Sequence, residues 1–310
     1  MKILVTGSSG LIGRAVCAKL EARGVSAVPF DMTMTDSDGE RLDVRNERQV
    51  RMAIAQCQGV LHLAAVSRVI WGERDPALCE AVNVGGTEAV CRAARDAAHR
   101  PFVVYASSRE VYGHPASVPV REDAPFAPCN VYGRTKVAGE DMMQRLARAG
   151  HPAAIIRFSN VYGAVDDHPD RVVPAFAQQA ATGGVIRVDG ASCVFDFTHV
   201  DDVSDGVVAL LQKVQSGSFL PPVHFVSGRG SSLAELAEIA RLESGGRLTI
   251  DEQAPRSFDV ARFYGDPARA RELLGWRGRT QLERGFAKLV DDFRAIHAEA
   301  SGQRRGRATP

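Results

Sequence analysis

The sequence is short of several things, and each shortage argues against a class of function. It has no charge surplus: 38 Lys and Arg stand against 37 Asp and Glu, for a formal net charge of +1. That balance argues against nucleic acid met through bulk charge, while leaving room for a local positive site that binds one phosphate group. No window approaches the roughly 18 consecutive apolar residues of a membrane span. The opening run, Met1-Lys2 followed by Ile3-Leu4-Val5-Thr6-Gly7, is too short for a signal peptide. Six scattered cysteines (Cys17, Cys57, Cys79, Cys91, Cys129, Cys193) form no Cys-x-x-Cys pair and no metal-type spacing with histidine. They read as small buried hydrophobes in a reducing compartment. The expectation is a soluble, cytoplasmic chain with no metal, no membrane and no nucleic-acid partner.

What is present is ordinary for a folded protein. Its 310 residues, 45% hydrophobic and 24% charged, suffice for one large domain or two modest ones. Apolar, β-branched runs at 3–6, 26–30, 59–64, 102–106 and 153–158 read as strands. Helical periodicity at 11–23, 49–56, 76–98 and 131–149 alternates with them. That rhythm predicts an α/β fold with a Rossmann-type, doubly wound parallel sheet. The second half breaks it, with helices at 172–182, 233–244 and 282–298 and short strands at 185–188, 223–226 and 248–250. A strand and then a helix are expected over 197–211, with Asp201 as the N-cap. We expect a dinucleotide-type domain over 1–165, to which 196–226 returns. A smaller mixed α/β domain would comprise 166–195 and 227–298, and a basic, disordered tail 299–310. A cleft between interleaved domains is where ligands bind.

The first chemical motif is Gly7-Ser8-Ser9-Gly10-Leu11-Ile12-Gly13. A glycine-rich turn between a strand and a helix lets the backbone approach a pyrophosphate at the helix N-terminus. Asp31, at the end of the next strand, suits a ribose diol and repels a 2′-phosphate, which favours NAD over NADP. A second constellation is Tyr132 and Lys136, four residues apart on one face of a predicted helix. Free tyrosine titrates near ~10, too high for a base at neutral pH. A lysine ammonium nearby, and a positive nicotinamide ring, would favour the phenolate. Ser108, at a strand end, can hydrogen-bond the same substrate hydroxyl.

The spacing Gly-x-x-Gly-x-x-Gly resembles the extended short-chain dehydrogenase/reductase superfamily. Later segments resemble its nucleotide-sugar epimerase/dehydratase family: Leu42-Asp43-Val44, Leu61-His62-Leu63-Ala64-Ala65, Asn83-Val84-Gly85-Gly86-Thr87, Arg157 to Gly163, and Asp196 to Val203. The resemblance runs to about residue 298. It implies bound NAD and a nucleotide-diphosphate sugar, UDP-linked by preference. Asp43, Val44, Leu63, Ala64, Ala65 and Asn83 would lie along the cofactor. The family's catalytic triad falls on Ser108, Tyr132 and Lys136, with Glu110 beside them as a further catalytic candidate. Asn160 and Arg256 would contact the diphosphate, and Ser67 and Glu110 would help set sugar identity. The resemblance also implies a homodimer through the helices at 76–98 and 131–149, with Cys79, Ala89, Val90, Ala93 and Ala94 as a small-residue face.

Two departures matter. Dehydratases of this family carry an Asp-Glu pair after the catalytic residue; here Arg109 precedes Glu110, and arginine is a poor general acid. Many members also have arginine just before Asp196, where this chain has Phe195, so Arg187 or Arg262 would have to substitute. The reading is a UDP-hexose 4-epimerase working through a transient 4-keto sugar. A 4-keto-sugar reductase, a dehydratase or decarboxylase, and a catalytically silent NAD-binding protein stay open beside it.

Overall fold

Apolar side chains of the first strands alternate between two faces, and that alternation builds the architecture. Residues 1–217, 219–256, 258 and 260–306 are described by a computed structural model, with side chains described as far as residue 300. Strand β1 (Lys2–Thr6) leads through the glycine turn into α1 (Leu11–Glu21), then β2 (Ser26–Phe30), α2 (Glu47–Ile54) and β3 (Gly59–His62). Two short helices, α3 (Val69–Arg74) and α4 (Pro76–Glu80), precede α5 (Gly86–Asp96) and β4 (Phe102–Ser108). Helix α6 (Val131–Arg148) and strand β5 (Ala153–Phe158) complete the regular alternation.

These strands, with the later β9 (Val223–Phe225), form a six-stranded parallel sheet in the order β2-β1-β3-β4-β5-β9. Ile3 and Val5 face one side with Leu61, Val104 and Ile156, packed on α1 and on α8 (Val200–Val214). Leu4 faces the other with Val60, Val103 and Ile155, packed on α2, α5 and α6. A parallel sheet covered on both faces requires such continuous apolar strands, and all seven residues of β4 are buried. Strand order reverses at β1, which lies between β2 and β3, and such a switch point opens a crevice at the carboxyl ends.

A second cluster of elements stands across that crevice. Strands β6 (Asn160–Tyr162), β8 (Val194–His199) and β10 (Gly230–Ser232) make a three-stranded sheet. Strand β7 (Gly184–Asp189) pairs in parallel with β11 (Leu248–Gln253). Helices α7 (Val172–Thr182), α9 (Leu233–Glu243) and α11 (Leu282–Gly306) close a separate core around Phe176, Phe195, Phe197, Leu236 and Phe286. Helix α10 (Ala268–Leu274) packs by α8 and β9, which carry the chain back to the large sheet.

Three expectations are corrected and one is refined. The helix predicted over 76–98 runs without a gap from Pro76 to Asp96 but includes a π-turn at Ala81–Gly85, in which Asn83 bonds to other elements. Its amide accepts from Val66 N at 2.7 Å and donates to Thr135 Oγ1 at 2.9 Å. Cys79, Ala89, Val90, Ala93 and Ala94 are no outer face: all are buried, with α5 packed on α2 and α6. The N-cap of α8 is His199, not Asp201; its Nδ1 accepts from Asp201 N at 3.2 Å. Helix α11 continues to Gly306 where a disordered tail was expected. The remaining tail, 307–310, lies outside the described residues.

One buried ion pair joins the large sheet to α6. Arg157 on β5 meets Glu140 through Nη2–Oε2 at 2.6 Å and Nε–Oε1 at 2.8 Å. Arg157 Nη1 also donates to Tyr112 Oη and to Glu122 O, and Ser107 donates to Glu140. With Glu140 fully buried, Glu140→Leu should lower the unfolding free energy by about 3–5 kcal/mol. Adding Arg157→Met should restore much of that loss, because the orphaned charge is gone. Urea unfolding of the single and double variants checks both expectations.

Candidate active site

The glycine turn leaves no room for side chains at two of its positions. Gly7 adopts φ of +71°, and a Cβ there would lie 2.8 Å from Ala64 N. A Cβ on Gly13 would lie 2.2 Å from Gly7 O, so α1 starts hard against the turn. Gly10 caps α1 with no side-chain acceptor, and the first turn has no acid, which leaves its N–H groups for an anion. This cradle suits the pyrophosphate of a dinucleotide.

Asp31 sits at the mouth of the turn. Its Oδ2 accepts from Ser9 N at 3.1 Å, and its Oδ1 accepts from Thr33 N and from the Thr33 hydroxyl at 3.0 Å. Leu11, Ile12, Leu63 and Ala65 line the adjoining cleft. Ala64 backs the turn, its N donating to Thr6 Oγ1 at 3.2 Å. Other expected cofactor residues are not at the cleft wall. Asp43 is gripped by Arg45, with Nε 2.9 Å from Oδ2, which holds its carboxyl below the usual range. Val44 is buried against Gly86, and Asn83 ties the 63–67 loop to α6. His62 also works from behind, between Thr6 Oγ1 (2.7 Å) and Thr87 Oγ1 (3.1 Å). Burial pushes its pKa down to about 3, so it is neutral.

The cleft encloses about 610 Å³, and its walls bring Ser108, Tyr132 and Lys136 to the same place as Gly7, Gly10 and Gly13. Ser108 ends β4, while Tyr132 and Lys136 occupy the first two turns of α6. Asn130 caps that helix by accepting from Gly133 N at 2.7 Å. Lys136 Nζ donates to Ala106 O at 2.8 Å and stands 5.6 Å from the centre of the Tyr132 ring. Burial pushes the Lys136 pKa down to about 8. Tyr132 does not show the lowered pKa that the sequence suggested: burial raises it, and a hydrogen bond with Ser108 only partly opposes that. The lysine is held on a backbone carbonyl and does not offset the desolvation of the phenol.

The substrate side is more surprising. Glu110 lies at the cleft with both oxygens engaged, Oε1 by Arg109 at 2.9 Å and Oε2 by Asn130 Nδ2 at 2.8 Å. That arrangement suits a positioning carboxylate better than a free acid or base. Arg109 was given no role from sequence, yet it donates to Asn160 Oδ1 at 3.2 Å and lies over the Phe195 ring at 4.9 Å. The sequence marked it only as a departure from the family pattern; its setting comes from Asn160 on β6 and Phe195 on β8, distant in the chain. Arg187 and Arg256 also line the cleft. Arg187 is held by Asp189 at 2.7 Å, and Arg256 lies 5.4 Å from the Phe258 ring. Asp259, three residues after Arg256, lies outside the described residues.

A strap at 164–171 crosses between the two halves of the cleft. Arg14, next after Gly13, pairs with Asp166 at 2.6 Å, and Arg68 pairs with Asp170. Trp71 meets His168 edge-on at 4.8 Å, and Arg171 reaches the hydroxyl of Ser67 at 3.5 Å.

This geometry is shared with known proteins. The model of the NAD dependent epimerase/dehydratase family matches residues 3–220. The chain belongs to that family. A UDP-glucose 4-epimerase of Mycolicibacterium smegmatis is 32% identical to it, with 95% of this chain and 99% of that protein aligned. The crystal structure of the Thermotoga maritima UDP-glucose 4-epimerase with UDP-glucose superposes with a TM-score of 0.88 at 25% identity. That match covers 96% of this chain and 100% of the other. The Thermus thermophilus UDP-glucose 4-epimerase in complex with NAD gives 0.85 at 26% identity, over 95% and 99% of the two chains. Arg109 and Phe195 meet at the cleft wall of this member of the family.

The buried lysine has a measurable consequence. Lys136 titrates near 8 when folded, against an ordinary 10.5. Between those values the unfolded chain binds more protons, so stability rises with pH. Between about pH 7 and pH 9.5 the wild type should gain about 2 kcal/mol relative to Lys136→Met, as read from urea unfolding at each pH.

Proposed function

We propose that this chain is an NAD-dependent UDP-hexose 4-epimerase. Carrying the reading is the meeting of Ser108, Tyr132 and Lys136 with the Gly7–Gly13 turn in one cleft. Gly7, Gly10, Leu11, Ile12, Gly13 and Asp31 would hold the dinucleotide, with Asn83, His62 and Ala64 supporting its loop from behind. Bound NAD supplies the hydride acceptor and donor and, when oxidised, a positive ring that favours the phenolate.

The chain's own residues handle the proton. Tyr132 Oη takes it from the C4 hydroxyl of the sugar and returns it once the opposite face of the 4-keto sugar is presented. Ser108 holds the same oxygen throughout, as hydroxyl and then as carbonyl. Lys136 keeps positive charge beside the Tyr132 ring, and a lysine held near 8 gives and takes a proton readily at neutral pH. Asn160, Arg187 and Arg256 would bind the diphosphate, with Ser67 at the sugar end; a guanidinium pairs with phosphate through two donors. A dehydratase is disfavoured because Glu110 is committed to Arg109 and Asn130. The same reading divides the chain into a cofactor domain over 1–165 plus 196–226 and a sugar-binding domain from the rest. It includes a homodimer working in the cytoplasm.

Tyr132→Phe should reduce turnover by about 10²–10⁴-fold, the usual scale of a lost acid–base group, while the purified protein keeps its NAD. The assay is interconversion of UDP-glucose and UDP-galactose with no added reductant. Unchanged turnover in the variant sinks the catalytic assignment. A protein that consumes NADH only with a 4-keto sugar is a reductase instead.

A further inference from the structure

We propose that Arg109 reads the bound sugar directly, its Nη1 donating to the sugar oxygen at C3 or at C6, on either side of the reacting C4 carbinol. The proposal rests on the epimerase reading above and adds to it the residue that selects the sugar.

Arg109 follows Ser108 directly and opens the 3₁₀ turn Arg109–Tyr112 at the end of β4. Its guanidinium is fixed on every side but one. Nε donates to Asn160 Oδ1 at 3.2 Å, and Nη2 pairs with Glu110 Oε1 at 2.9 Å. The group lies over Phe195 at 4.9 Å, with the Phe263 ring at 5.7 Å. Nη1 alone is buried and has no hydrogen-bond partner. The residue is only 9% exposed, yet it lines the cleft with Ser108, Tyr132 and Asn160.

A buried, charged N–H donor without an acceptor is disfavoured, and native structures rarely leave one so. The contacts already made stop the guanidinium from turning Nη1 elsewhere. An oxygen brought in by the ligand completes its set. Its place beside Ser108 says which oxygen. Ser108 holds the hydroxyl at C4, so the adjoining residue meets the neighbours of that carbon, the C3 hydroxyl or the oxygen at C6. The diphosphate leaves from C1, across the ring. Phe195 also gains a purpose: where the resemblance predicts an arginine, its ring carries a guanidinium delivered from β4.

The test is calorimetric binding of UDP, UDP-glucose and its 3-deoxy and 6-deoxy analogues to the NAD-loaded protein. Wild type should bind UDP-glucose at least about tenfold more tightly than one of the two analogues, and the weaker analogue names the oxygen. In Arg109→Met that difference should shrink below about twofold, with binding of UDP itself unchanged. Arg109→Lys keeps the charge without the fork, should lose the same discrimination, and serves if the methionine variant fails to fold. Equal binding of all three sugars by wild type overturns the proposal, as does full discrimination in either variant. A matching loss of UDP binding also overturns it, since Arg109 would then serve the diphosphate, directly or by holding Asn160. Discrimination without interconversion of UDP-glucose and UDP-galactose would defeat the epimerase reading and leave this one standing. Failure to bind any UDP-hexose defeats both.

Discussion

The ion pair of Arg157 with Glu140 is the constraint on which the site depends. Glu140 lies one helical turn beyond Lys136, and Ser107, which donates to it, immediately precedes Ser108. The pair therefore sets α6 against the carboxyl end of β4, the two elements that carry Ser108, Tyr132 and Lys136. In a low-dielectric interior each charge is tolerable only with the other in place and the remaining hydrogen bonds made. Tyr112, Glu122 and Ser107 make those bonds. Hydrophobic packing alone would let a helix slide by fractions of an ångström, which a proton-transfer geometry does not tolerate.

The same interior shapes the two groups it positions. Burial drives the Tyr132 pKa up and the Lys136 pKa down, so both are biased toward neutral forms. At about 8 the lysine still carries its charge for the most part at neutral pH, yet can release its proton within the physiological range. The backbone carbonyl of Ala106 rather than a carboxylate holds the lysine, which keeps its ammonium weakly stabilised. A carboxylate partner would have fixed the charge.

Much of this was legible in the residues. Continuous apolar runs alternating with helical periodicity announced the parallel sheet, and the glycine turn with Asp31 announced the cradle, because both follow from local rules of backbone and side-chain direction. Tyr132 and Lys136 were legible for the same reason, being one turn apart on one helix. The misses share a different cause. The π-turn at Asn83 exists because a side chain bonds a loop seventeen residues earlier in the chain. Arg109 acquires its setting from Phe195, Asn160 and Phe263, which lie on distant segments. The five small residues read as an interface were instead core, since periodicity alone marks an apolar stripe without saying what covers it.

The strap at 164–171 gives the mouth of the cleft a different physical character from its floor. Arg14 and Asp166 are 39% and 59% exposed, so their attraction is screened by dissolved ions within about a Debye length, ~8 Å at physiological ionic strength. Beneath it, Arg157 and Glu140 are sealed from solvent and feel no such screening. Ionic strength therefore acts on one and not the other: added salt slackens the tie beside the cofactor turn while the arrangement of Ser108, Tyr132 and Lys136 stays put. Salt thus acts on the ion pair at the mouth of the cleft and leaves the one beneath it unchanged.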